Sequence, residues 1–147
     1  RPLLFSRTRE AAWLRRACAQ VEKDGRQPQE LARTNSFGYS LMNLTGLCLI
    51  GQMGRLRPTR PDFGRAGVDF FRAERDGYNP LLAAADFLAP YALGGEPWPY
   101  EQIGAAPEAP ARVWPYALIA AALPDAPYAK DLPRLYTPEM LFRLLPL

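Results

Sequence analysis

Apolar positions recur at helical spacing in several parts of this chain, and nowhere do they alternate with period two over a sustained stretch. Residues 6–23 carry Ala11, Leu14, Ala17, Cys18 and Val21 on one side, which predicts an amphipathic helix. Ser6 or Thr8 is placed to cap it, and Asp24-Gly25 to end it with a turn. Pro28 then falls in an extended segment. A second helix is expected to begin between Thr34 and Ser36 and to run to about Met53, with Gly54 and the prolines at 58 and 61 terminating it. Residues 62–76 hold at most a short helix around Arg65 to Glu74. A third helix is predicted from Pro80 to about Tyr91, with proline in its first turn and Gly94-Gly95 past its end. Pro90 should stop or kink it. The spacing predicts a fourth helix from Pro107 or Pro110 to Leu123, with Pro115 awkwardly placed inside. The last segment contains Pro124, Pro127, Pro133 and Pro138 and ends in a short apolar helix over Pro138 to Leu145.

This pattern predicts an all-α protein. Helices joined by proline-rich loops suit paired antiparallel helices, as in helical hairpins and α/α toroids. No repeat of fixed length aligns, which argues against a solenoid. At 147 residues and 48% hydrophobic content, the chain fits a single globular domain, or part of one, with its own core. The greasiest stretch, Leu41 to Ile50, is broken by Asn43, Thr45 and Gly46 and falls short of the roughly 20 apolar residues that span a bilayer. No membrane span and no signal peptide are expected.

Charge and cysteine content narrow the chemistry. Residues 1–75 hold 14 Lys/Arg against 7 Asp/Glu, and residues 76–147 hold 4 against 8. Nearly all the bases are arginine, which suits bidentate recognition of carboxylates; a codon bias toward arginine explains the same count. With no basic run, no RNA-recognition motif and no zinc-finger spacing, no nucleic-acid partner is expected. The chain has no histidine, so a His-based triad within it is excluded. Two cysteines, Cys18 and Cys48, sit in separate apolar helical settings and read as buried free thiols, with a disulfide as the alternative. No metal site and no cofactor are expected.

The candidate chemistry lies at the start of the second helix. If that helix starts near Ser36, then Tyr39, Asn43, Gly46 and Ile50 share one face, while Leu41, Leu44, Leu47 and Cys48 point to the core. Tyrosine moves protons, asparagine bonds a hydroxyl or a carboxylate, and glycine leaves room. The competing reading is a packed tyrosine beside a helix crossing. Arg33 precedes Tyr39 by six residues, about 600° along a continuous helix, so the two converge only if Arg33 lies before the helix proper. A nearby arginine cation would favour the tyrosinate that a general base requires.

The stretch Asp24-Gly25-Arg26-Gln27-Pro28-Gln29-Glu30-Leu31-Ala32-Arg33-Thr34-Asn35-Ser36-Phe37-Gly38-Tyr39-Ser40-Leu41-Met42-Asn43-Leu44 closely resembles the second half of the alginate lyase domain, the helical family of polymannuronate and oligoalginate lyases. So do the segment Pro80 to Tyr91 and the loop Trp98-Pro99-Tyr100-Glu101-Gln102-Ile103. The likeness covers about residues 8–105, leaving 106–147 as C-terminal helices and loops. It implies part of an incomplete α/α toroid and the cleavage of uronic-acid polymers such as alginate by β-elimination. By the same likeness Tyr39 would be catalytic base and acid, and Arg33 a catalytic-cleft residue. Gln27, Glu30, Asn43, Trp98 and Tyr100 would be substrate contacts. Such lyases also carry an Asn-His pair that neutralises the uronate carboxylate, placed far enough before the tyrosine to precede Arg1. Because this chain lacks histidine, the expectation is a C-terminal fragment, incomplete or inactive alone, whose cleft is completed by the missing N-terminal half or another protomer. The implied partner is an acidic polysaccharide, and the implied location is periplasmic or secreted. A non-catalytic polyuronate-binding module or a structural helical module is the alternative.

Overall fold

The computed structural model describes residues 16, 19–56, 69–74, 76–130 and 132. In chain order these form α1 (Pro28–Leu31), α2 (Ser36–Leu56), α3 (Pro80–Ala92), α4 (Ala109–Ala122) and a 3-10 turn at Pro127–Lys130. Among the described residues there is no strand, and Asn35 forms an isolated antiparallel bridge with Gln102. The all-α reading holds, and no described helix is long and apolar enough to cross a membrane.

The long helix α2 is the centre of the packing and touches α1, α3 and α4. Its Phe37, Leu41, Leu44 and Cys48 face the interior and are almost fully buried. They meet Leu81, Ala84, Ala85 and Leu88 of α3 and Tyr116 and Ile119 of α4. The alanines on α3 let the helices approach closely, and the larger side chains fill the space between them. Tyr116 is fully buried and donates its hydroxyl to the Ala85 carbonyl at 2.8 Å, so its polar end is satisfied inside the core. The far end of α2 is tied to α4 by Arg55, which donates to the Ala122 carbonyl at 2.9 Å. A cation at a helix C-terminus is favourable both as a donor and against the helix dipole.

Several expectations need correction. Pro28 does not lie in an extended segment. It opens the single turn α1, where its preset φ suits a first helical position. Pro90 does not stop α3, which runs on to Ala92, and Pro115 sits buried inside α4 without ending it. Each proline removes one donor to the carbonyl four residues earlier, that of Asp86 or Ala111, yet both helices continue because each is held by a buried apolar face. The second helix runs past Met53 to Leu56. Residues 70–72 form a turn, and the start of the short helix allowed around Arg65 to Glu74 lies outside the described residues. Of the first predicted helix, Arg16 and Ala19 are helical and a turn follows at Gln20; the rest lies outside the described residues, as do Cys18 and the predicted helix over Pro138 to Leu145.

Cys48 is a free, buried thiol 3.7 Å from the Pro115 carbonyl. Burial pushes it up from 9.0 to about 12. Burial likewise raises Tyr116 and Tyr128 above the ordinary tyrosine value. In each case the unfolded chain loses its proton first, so the folded state holds more protons across the alkaline window. Stability is therefore fully present below about pH 9 and declines as pH rises from there toward 12. Urea midpoints measured at pH 8 and pH 10.5 should fall across that interval, with a shallower fall in Cys48→Ala.

Candidate active site

The segment 98–105 lies across the N-terminus of α2 and takes up its free donors. The backbone N–H and the hydroxyl of Ser36 both donate to the Glu101 carbonyl, at 3.2 and 2.5 Å. The Phe37 N–H donates to the Gln102 side-chain oxygen at 3.2 Å. Returning bonds run from the Ile103 N–H to the Thr34 carbonyl at 2.9 Å and from the Gly104 N–H to the Asn35 side-chain oxygen at 2.9 Å. The first turn of α2 is thus capped by a loop distant in sequence, not by the side chains of Thr34 or Ser36.

Trp98 joins this cap to an aromatic cluster. Its indole N–H donates to the Ser36 hydroxyl at 2.8 Å. Its ring stacks on Phe37 at 4.9 Å, meets Tyr91 edge-on at 4.9 Å and lies 5.1 Å from Tyr100. Trp98 is thereby locked in place with its one polar atom engaged, so only ring surface remains for a ligand. Tyr100 is half-buried on the same cluster.

Arg33 lies in the bend between α1 and α2, ahead of the helix, which meets the condition set by the sequence. The chain turns there so that the Arg33 guanidinium carbon sits 3.5 Å from the centre of the Tyr39 ring. The contact is with the π face, a cation–π pair worth about 0.5–1 kcal/mol when partly exposed. It is not a hydrogen bond to the phenol: among the described residues the Tyr39 hydroxyl has no partner. Glu30 holds the other side of Arg33 at 3.4 Å, and the arginine side chain remains 48% exposed, with N–H groups left over.

Asn43 lies one turn beyond Tyr39 on the same face and is partly exposed. Gln27, expected among the substrate contacts, is instead buried at 1% exposure beneath that face. Its amide donates to the Ser40 carbonyl at 3.3 Å and accepts from Asn43 at 2.8 Å. The turn that places Gln27 there depends on Gly25, whose φ is +85° and whose α-carbon lies so close to α3 that a Cβ would fall 2.0 Å from the Ala83 carbonyl oxygen. Past Asn43 the face stays open. A Cβ on Gly46 would meet nothing within 4 Å, and Met42 and Leu49 beside it are 61% and 45% exposed.

The structure therefore brings Arg33, Tyr39, Glu30 and Asn43 to one end of α2, with Trp98 and Tyr100 on the loop that caps it. Sequence reading missed Ser36 and Gln102, which fix that loop. The aromatic loop was visible, but its partner in α2 was not. A pocket of about 280 Å³ lies between α3 and the chain after α4 and is lined in part by Arg72, Asp86, Asp125 and Tyr128. It contains none of the predicted site residues. Among the described residues no group of three or more metal-ligating side chains gathers.

A family model described as Alginate lyase matches residues 1–98, about two thirds of the chain, including α1, α2, α3 and Trp98. The chain belongs to the alginate lyase family. No curated relative and no solved structure matches it. In this alginate lyase family chain the motif segment from Asp24 to Leu44 is the part that folds into α1, the arginine bend and the first half of α2. The matched region ends at Trp98, inside the loop that caps α2.

Proposed function

We propose that the chain is part of a polysaccharide lyase that cleaves uronic-acid polymers such as alginate by β-elimination, its helices forming part of an incomplete α/α toroid. The supporting observation is the contact between Arg33 and Tyr39, which leaves a cation with N–H groups to spare beside a phenol whose hydroxyl has no partner among the described residues. In the proposed reaction Arg33 pairs with the uronate carboxylate and so makes the neighbouring C5–H more acidic. The Tyr39 oxygen, as phenolate, takes the C5 proton. The electron pair of that bond forms the C4–C5 double bond, the C4–O4 bond breaks, and the proton passes from Tyr39 to the departing O4. The rings of Trp98 and Tyr100 offer apolar faces to the sugars. A periplasmic or secreted location fits a polymeric acidic substrate.

The absence of histidine favours a second reading, a polyuronate-binding module that does not cleave. One assay separates the two. The chain, alone and mixed with an N-terminal half carrying the Asn-His pair, is incubated with polymannuronate, polyguluronate and glucuronan, and ultraviolet absorbance from the new double bond is followed. Product from the completed cleft supports the lyase. Salt-sensitive binding without product, under all conditions, supports the binding module.

A further inference from the structure

The two amides beneath the open face of α2 have a fixed polarity. The Ser40 carbonyl can only accept, so the end of the Gln27 side chain that lies 3.3 Å from it is the NH₂ group. The Gln27 oxygen then points the other way and receives the Asn43 NH₂ at 2.8 Å. Asn43 therefore commits one of its two amide N–H donors to Gln27, which fixes the amide and leaves Oδ1 free to accept. Turning both amides over would set oxygen against oxygen at Ser40, in a site that is 1% exposed at Gln27 and closed to water. Among the described residues nothing donates to Asn43 Oδ1, and the residue is partly exposed one turn from Tyr39.

We propose that Asn43 presents a hydrogen-bond acceptor, held in that orientation by Gln27, which reads a free ring hydroxyl of the sugar lying against the Arg33–Tyr39 pair. A uronate carboxylate carries no proton to donate at neutral pH, so Asn43 Oδ1 offers it nothing, whereas the Arg33 N–H groups and positive charge attract it. The two polar ends of one uronate residue are thereby sorted, carboxylate to Arg33 and hydroxyl to Asn43. Gln27 is a positioning residue that never touches the sugar. The inference rests on the polyuronate reading above.

The test compares a uronate oligomer bearing free hydroxyls with the same oligomer whose ring hydroxyls are capped as methyl ethers. Both are titrated calorimetrically into the full chain and into its Asn43→Ala and Gln27→Met variants, with helicity checked by circular dichroism. The native chain should prefer the free oligomer by about tenfold, the scale of one well-placed hydrogen bond. Both variants should reduce that preference to about twofold or less, while their affinity for the capped oligomer stays unchanged. Equal affinity of the native chain for both oligomers, or a preference that survives Asn43→Ala, overturns the proposal. A preference lost in Asn43→Ala but intact in Gln27→Met removes Gln27 from it. If Gln27→Met fails to fold, the partly exposed Asn43→Ala decides. If neither oligomer binds the native chain, alone or mixed with the histidine-bearing half, the polyuronate reading falls together with the inference.

Discussion

Replacing Tyr39 by phenylalanine, in the chain assayed with a histidine-bearing half, is expected to slow formation of the unsaturated uronide by about 10²–10⁴-fold, the usual contribution of a positioned acid–base group. The hydroxyl has no partner among the described residues, so its removal breaks no internal hydrogen bond. Phenylalanine also keeps the ring on which Arg33 rests at 3.5 Å. The variant should therefore match the native chain in circular dichroism and in KM, and differ in kcat. That split distinguishes loss of proton transfer from loss of packing. Activity within a few-fold of native would take Tyr39 out of the reaction.

The largest structural effect is expected at Gly25. Alanine there must hold a φ of +85° and place its Cβ 2.0 Å from a backbone oxygen of α3 that no side-chain rotation can move. Backbone strain and overpacking together should cost about 2–5 kcal/mol, read as a lower urea midpoint. The loss reaches the site because the displaced turn carries Gln27, two residues on, away from Ser40 and Asn43. Gly46→Ala is the matched control. It lies in α2 with open space above it, and should leave the midpoint unchanged or raise it by about 0.5–1 kcal/mol through better helix propensity. A Gly25→Ala shift no larger than that of the control would mean that the turn does not pack on α3 as described.

How much of this was legible in the sequence varied with the range of the interaction. The positions of α2, α3 and α4 followed from apolar spacing, and Leu41, Leu44 and Cys48 face the core as that spacing requires. The prolines misled because a rule about one lost donor leaves out the tertiary packing that carries α3 on to Ala92 and holds Pro115 buried inside α4. Gln27 was expected among the substrate contacts from the family resemblance; only the fold shows two partners that satisfy its amide while it is buried. Arg33 and Tyr39 were a conditional pair, and the bend after α1 met the condition. Gln102 and Glu101 carried no local sign that they cap α2, since both partners lie 65 residues away.

That last separation bears on how the site comes into being. Every letter of the motif from Asp24 to Leu44 sits in one short stretch, yet the first turn of α2 is completed only when the chain has passed through α3 and come back with Glu101, Gln102 and Trp98. Closing so long a loop carries an entropic cost that local helix formation does not. The final angle of the arginine bend and the start of the helix therefore depends on a contact made across 65 residues of chain. A peptide cut to the motif would keep the whole signature and lose the closure that aims it. In this protein the residues of the signature are neighbours in sequence, while their arrangement belongs to the folded domain.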